Sequence, residues 1–306
     1  MTTAAVEARV GQGPLLRRLM RDSSVTVGGA VILLFVLAAI FAPALAALEG
    51  QDPYTYHLDT LGPDTAPTGF GGGISSDHWF GVEPLTGRDM FAIVVYGART
   101  SLLVGVAATV VSVLLGVLIG IVAGYFGGWT DRIISRVTDV VFGFPGLIFM
   151  ITLGAVVPDT FPKPILLIIV IGFFGWPSIA RVIRGQTLTL RERNYVVAAR
   201  ASGAGSGHIL FSQLLPNLVA TIIVFATISI PGKIGAEAAL SFLGVGVPPP
   251  TPAWGRSIGE AINWISVDPM FLVVPGGALF LITLAFNLFG DGLRDVLDPR
   301  TVGGRA

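Results

Sequence analysis

The sequence predicts an all-α membrane protein with six transmembrane helices and both termini on the cytoplasmic side. Three observations carry this. Hydrophobic residues make up 53% of the 306 and charged residues only 12%, a balance far too apolar for a soluble globule. Six runs of about twenty apolar residues punctuate the chain, each long enough to cross a bilayer. Arginines gather in every second connection, the asymmetry that holds short cationic loops on the cytoplasmic side.

Residues 1–24 form a polar arm carrying Arg9, Arg17, Arg18 and Arg21. The apolar run Val25 to Leu48 follows, too long for a cleaved signal-peptide core. At about 1.5 Å per residue it reaches about 36 Å, enough for a tilted crossing of a ~30 Å hydrocarbon layer. Residues 49–100 read as an extracytoplasmic loop: seven acids (Glu49, Asp52, Asp59, Asp64, Asp77, Glu83 and Asp89) stand against Arg88 alone up to Asp89. Pro53, Pro63, Pro67 and the run Gly69 to Gly73 argue for irregular chain too short to build a second core. Residues 101–292 form the main helical domain, with spans expected at Ser101–Phe126, Val137–Val157, Ile165–Ile183, Leu218–Leu243 and Phe271–Phe289. Pro145 and Pro177 predict kinks in two of them. Within this domain, residues 190–216 make a cytoplasmic loop and 244–270 an external one, and 293–306 form a cytoplasmic tail. Arg132 and Arg136, then Arg184, Arg191, Arg193 and Arg200, then Arg294, Arg300 and Arg305 all fall on the side of the N-terminal arm if six spans alternate.

Several function classes drop out. With no cysteine there are no disulfides, thiolate nucleophiles or cysteine metal sites, and His57, His78 and His208 are too scattered for a metal motif. A net charge of zero gives no support to nucleic-acid binding. A phosphate-cradling GxxxxGK[ST] loop is missing; Gly232-Lys233 is followed by Ile234 inside a span. Paired carboxylates, a GxSxG elbow and a histidine metal motif are all absent from the spans, so neither an intramembrane enzyme nor a resident cofactor is expected. No internal repeat is evident, which weakens an inverted-repeat secondary carrier.

Three features can carry mechanism. Along the second span Ala108, Ser112, Gly116, Gly120, Gly124 and Gly128 recur every four residues, a stripe that admits a closely packed helix from the same subunit or from a partner chain. In the fifth span Lys233 and Glu237 lie four apart, on one face, and are expected to pair. Two mid-membrane charges cost roughly 5 to 7 kcal/mol, against roughly 4 to 7 returned by the span's twelve Leu, Ile, Val and Phe residues, so these charges belong in the bundle interior or a wet cavity. They make either a structural pair or part of a translocation path; an ion-coupled carrier would use them for protons or ions. Third, Glu192 to Ala201 favours helix, Gly203 is placed to end it, and Ser206 is a candidate cap for the next helical run. Small Ala198, Ala199 and Ala201 would let a partner approach the backbone, with Arg200 adding a directed charge; a plain solvated loop is the alternative.

The stretch YVVAARASGAGSGHILFSQLLP, Tyr195 to Pro216, resembles the cytoplasmic docking loop of membrane subunits in ATP-binding-cassette importers. Ala198, Ala199, Gly203, Leu215 and Pro216 match its consensus offsets, while Val197 and Gln213 depart from it. Three further stretches resemble the second permease subunit of the peptide and nickel branch: His78 to Gly105, Val137 to Pro145 (VTDVVFGFP), and Ala236 to Gly255 (AEAALSFLGVGVPPPTPAWG). GVEPLTGRD carries one residue more than the commoner form. The resemblance implies a type I importer permease fold in a bacterial cytoplasmic membrane and a chain without nucleotide chemistry of its own. It also implies four partners: a homologous second permease, two cytoplasmic ATP-binding subunits and an extracytoplasmic solute-binding protein. The ATPase-docking residues would be Glu192, Tyr195, Ala198, Ala199, Arg200, Ala201, Gly203 and Ala204. Dipeptides or oligopeptides are the implied cargo, with nickel chelates, glutathione or haem-like molecules as alternatives.

Overall fold

The computed structural model describes residues 15–158 and 160–297. The ends of the N-terminal arm and the C-terminal tail, with Arg9, Arg300 and Arg305, lie outside the described residues. Among the described residues twelve α-helices follow in order: α1 Leu15–Leu19, α2 Ser23–Ile40, α3 Ala42–Glu49, α4 Met90–Phe126, α5 Gly128–Gly143, α6 Gly146–Val156, α7 Lys163–Leu190, α8 Asn194–Ala201, α9 Ser206–His208, α10 Leu215–Phe242, α11 Trp254–Ala261 and α12 Met270–Leu297. No strand forms among the described residues; the segment between α3 and α4 holds only a 3-10 turn and two isolated bridges.

Among the described residues five helical runs are long and apolar enough to cross a bilayer, and the bent pair of α5 and α6 makes a sixth if it counts as one broken span. Local chemistry explains where each begins or breaks. Asp22 and Asp89 cap α2 and α4 by accepting hydrogen bonds from the backbone N–H of Val25 (3.1 Å) and Ala92 (2.7 Å). The kink expected at Pro145 is a 72° bend, because proline forces Phe144 into extended backbone and severs α5 from α6. Pro177, by contrast, sits inside an unbroken α7. The first expected span divides at Phe41, with Pro43 opening α3, and the second begins eleven residues earlier than hydropathy placed it. Those eleven residues include buried Met90, Ile93 and Ala98, which pack on α11 and α12 rather than on lipid.

α4 is the central post. Its longest contact is with α7, and α10, α12 and α2 close around its other sides. The main core joins Val94, Ala98 and Leu102 of α4 to Ile234 of α10, Trp254 of α11 and Ile282 of α12. Trp254 donates its indole N–H to the Val94 carbonyl at 3.0 Å, above Gly97, where a Cβ would lie 2.8 Å from the ring. Outward faces carry exposed Leu33, Leu34, Val110, Leu114 and Leu118, as a lipid-facing surface requires.

The bundle has two chemically distinct ends. At the first, the segment joining α3 to α4 meets the α10–α12 connection: Arg88 reaches the Pro250 carbonyl (3.4 Å), and Gly72 lies against the Asp268 carboxylate. This loop is irregular in backbone, yet Val82, Glu83, Arg88 and Asp89 are buried within it. At the second end, α8 folds under the close of α4 and α7: Arg191 donates to the Gly124 carbonyl (3.0 Å), and Arg200 stacks over Tyr125.

Candidate functional site

The elbow between α7 and α10 is built on one small apolar anchor. Val196, Ile209 and Leu214 are all fully buried and pack together, holding α8 against the π-helical turn Ile209–Leu214. α8 stops abruptly. Ser202 caps it, Gly203 takes φ +83°, the Gly203 N–H returns to the Arg200 carbonyl (3.0 Å), and the Ala204 N–H returns to the Ala199 carbonyl (3.0 Å). This paired closure requires a left-handed residue, which glycine supplies without a Cβ clash. Ser206 does not cap the following turn: Gly205 occupies that position, and no side chain accepts there.

With Val196 turned inward, the remaining face is presented outward. Glu192, Tyr195, Ala198, Arg200, Ala201 and Gly203 are exposed, and Ala199 and Ala204 half-buried. Val197, at the position where the docking-loop consensus has Glu, is half exposed on this same short helix. Arg200 is spent locally, its guanidinium 5.5 Å from the Tyr125 ring centroid. Glu192 accepts from its neighbour Arg191 at 2.9 Å.

The small-residue stripe packs inside the chain. A Cβ on Gly116 would lie 2.7 Å from Ile179, one on Gly120 would lie 2.7 Å from the Ala180 carbonyl, and one on Gly124 would lie 2.6 Å from Thr187 and 2.8 Å from the Arg184 carbonyl. Ser112 donates to the Gly172 carbonyl of α7 at 2.7 Å. α7 and α4 thus approach at backbone distance, which fixes the elbow that hangs from α7.

The intramembrane charges do not pair as expected. Glu237 is fully buried and takes both its donors as hydroxyls, Ser101 of α4 at 2.8 Å and Ser241 one turn on at 2.7 Å. Lys233 turns the other way, to the Ile171 carbonyl of α7 at 3.3 Å. It fits there because position 175 is glycine: a Cβ on Gly175 would sit 1.9 Å from the Lys233 ammonium. Two hydroxyls hold Glu237 and the α7 backbone draws Lys233 away, so the pair expected from their i, i+4 spacing does not form.

At the opposite end lies an ionic cluster that sequence reading missed. Arg88 grips Glu83 through two guanidinium nitrogens at 2.6 Å, and Thr86 donates to the same carboxylate oxygen at 2.6 Å. Arg256, two residues beyond Trp254, sits 3.3 Å from Glu260, and burial pushes the Glu260 carboxyl up. Next to it His78 and Asp89 meet at 2.9 Å, and Glu49 accepts from the Trp79 N–H. Burial, reinforced by the neighbouring Asp89, raises Glu49 to about 7.

Residues 116–303 match the family of binding-protein-dependent transport system inner membrane components. The chain belongs to that family. Residues 15–67 further match the N-terminal transmembrane domain of oligopeptide transport permease C, which places this permease in the dipeptide, oligopeptide and nickel branch of ABC importers. The glutathione transport system permease protein GsiD of Salmonella typhimurium is 42% identical over 287 residues, covering 94% of this chain and 90% of that protein. The protein of the same name from an Escherichia coli O6 strain is 40% identical with the same coverage. This permease is therefore a multi-pass inner-membrane transport subunit, and the ATPase of such a system is a separate subunit.

Proposed function

We propose that this permease forms half of a translocation path for short peptides, glutathione among them, and that α8 is the surface through which ATP hydrolysis drives it. The path would be completed by a homologous second permease, two ATP-binding subunits on the side of α8, and a solute-binding protein at the end that carries the Glu83–Arg88 cluster. The single observation behind this is the construction of the elbow: a short helix pinned by Val196 and closed at Gly203, offering Tyr195, Val197, Ala198 and Ala201 outward. Apolar and small residues exposed on an otherwise cationic connection are surface in want of a partner.

Cargo of the peptide class is supported by the match to an oligopeptide permease domain and by relatives named for glutathione transport. The mechanism is alternating access. Closure of the ATP-binding pair carries α8 with it and rocks the two permeases, so the path opens on one side or the other. Linkage requires α8 to make different contacts in the two states, since only a differential interaction shifts an equilibrium.

Ala198→Arg and Ala201→Arg test this. Both residues are exposed, so the subunit should fold and insert normally. In cells expressing the full importer, each variant should lose peptide uptake and no longer co-purify the ATP-binding subunits. Coupled uptake by both would show that α8 is not the docking surface.

A further inference from the structure

Lys233 stands about halfway through the bundle. It lies nine residues, about 14 Å, before the end of α10, and its partner Ile171 lies eight residues, about 12 Å, into α7, against a hydrocarbon layer of about 30 Å. The side chain borders a cavity of about 330 Å³ between α6, α7 and α10. The walls are largely apolar (Met150, Phe174 and Phe225), and the hydroxyls of Ser178 and Ser229 join the ammonium as the polar groups. An apolar cavity with a few convergent polar groups is the usual form of a small-ligand site.

The ammonium is held but not neutralised. Of its three N–H groups one reaches the Ile171 carbonyl, at 3.3 Å, and among the described residues no carboxylate lies within ion-pair distance. Glu237, the nearest acid in sequence along α10, is turned away to Ser101 and Ser241. A cation at this depth is costly to keep without a counter-charge, and such residues mark substrate pathways. Gly175 gives the reason for its position: any larger residue there would fill the notch that seats the ammonium.

We propose that Lys233 is the cargo-binding cation of this half of the path, and that it receives the carboxylate of a passing peptide in the cavity between α6, α7 and α10. The peptide's carboxylate takes the two N–H groups not used on Ile171, while the apolar walls lodge a side chain. The proposal rests on the importer reading given above, with α7 and α10 lining the path.

The test uses the complete importer in proteoliposomes, with its binding protein saturated and ATP inside. The probes are trialanine and glutathione, each as the free acid and as the C-terminal amide. The readout is the ratio of free-acid to amide uptake. In Lys233→Gln that ratio should fall at least about tenfold, because even one of the two charge-assisted hydrogen bonds lost is worth that much, and Lys233→Arg should restore most of it. A ratio unchanged in Lys233→Gln, whether total uptake is normal or lowered, overturns the proposal. Should Lys233→Gln fail to assemble, Ser229→Asp keeps the lysine and places a competing carboxylate one turn away on the same face of α10. It should lower the same ratio, and an unchanged ratio there overturns the proposal equally. If the wild-type importer moves none of the four probes in an ATP-dependent way, the peptide-importer reading itself has failed, and the carboxylate site falls with it.

Discussion

The two ends of this permease handle charge in opposite ways. At the end formed by the α3–α4 and α10–α12 connections, the tightest ion pair is buried: the Glu83 and Arg88 side chains are 2% and 6% exposed. At the end bearing α8, the pair beside the elbow is open to solvent, Arg191 and Glu192 being 29% and 71% exposed, and it is apolar Val197 that faces outward. A buried ion pair is costly to break and contributes little by existing, whereas an exposed one contributes almost nothing either way. The first end is thus chiefly a structural cap, built around the buried Glu83–Arg88 pair, although the Arg256 guanidinium beside it has no hydrogen-bond partner among the described residues. The second has its affinity left over for something else.

The comparison breaks most sharply at Arg88. Arg88→Met strands the buried Glu83 carboxylate without its counter-charge and removes the tie to Pro250, so it should cost about 3–5 kcal/mol. Thermal unfolding in detergent, followed by tryptophan fluorescence, measures this. A loss below about 1 kcal/mol would mean the cap is wet and the contrast between the ends unreal. Next in size is Gly203→Val. A branched side chain at φ +83° costs about 1–2 kcal/mol, and the strain falls on the closure of α8. Because the elbow can fray while the bundle holds, proteolysis at the α8–α9 turn should increase more than global unfolding does.

How much of this was written in the sequence depends on how local each feature is. Hydropathy pointed to the five long apolar helices, because twenty apolar residues in a row have few other uses, and to the bent α5–α6 pair as a sixth stretch, while Gly203 as a helix stop was readable because a left-handed cap needs only its own few neighbours. Features that depend on which partner wins were not readable. Lys233 and Glu237 have the spacing of a pair, but Ser101, 136 residues away, and the notch at Gly175 draw them apart. The 72° bend after Gly143 had a visible cause in Pro145, but a kink and a break differ by how neighbouring helices close around them. The buried cluster left almost no trace: Glu83, Arg88, Arg256 and Glu260 look like ordinary loop charges until folding brings positions 88 and 250 together. A charge placed among apolar residues, as Arg256 is in AWGRS, was the one available hint.

The two smaller predictions refine the contrast. Glu49 carries its proton up to about 7 in the folded protein, whereas its ordinary value is 4.5. The native state therefore holds more protons than the unfolded chain between those values. The stability this confers is complete below about pH 4.5 and is lost as pH rises through 7. Asp89 and His78 face the same carboxyl, so the informative quantity is the difference between wild type and Glu49→Gln. The variant should be relatively more stable at pH 8 than at pH 5, and a pH-independent difference would remove Glu49 from the cap. Smallest of all is Glu192→Ala at the other end. Its partner is an adjacent, solvent-exposed arginine, so unfolding should shift by less than about 0.5 kcal/mol. If α8 is a docking surface, peptide uptake should nevertheless fall, because this exposed carboxylate, which does little for the folded chain, can still meet a cationic partner. A stability loss matching the loss in uptake would instead make Glu192 a structural residue, and the difference between the two ends would narrow accordingly.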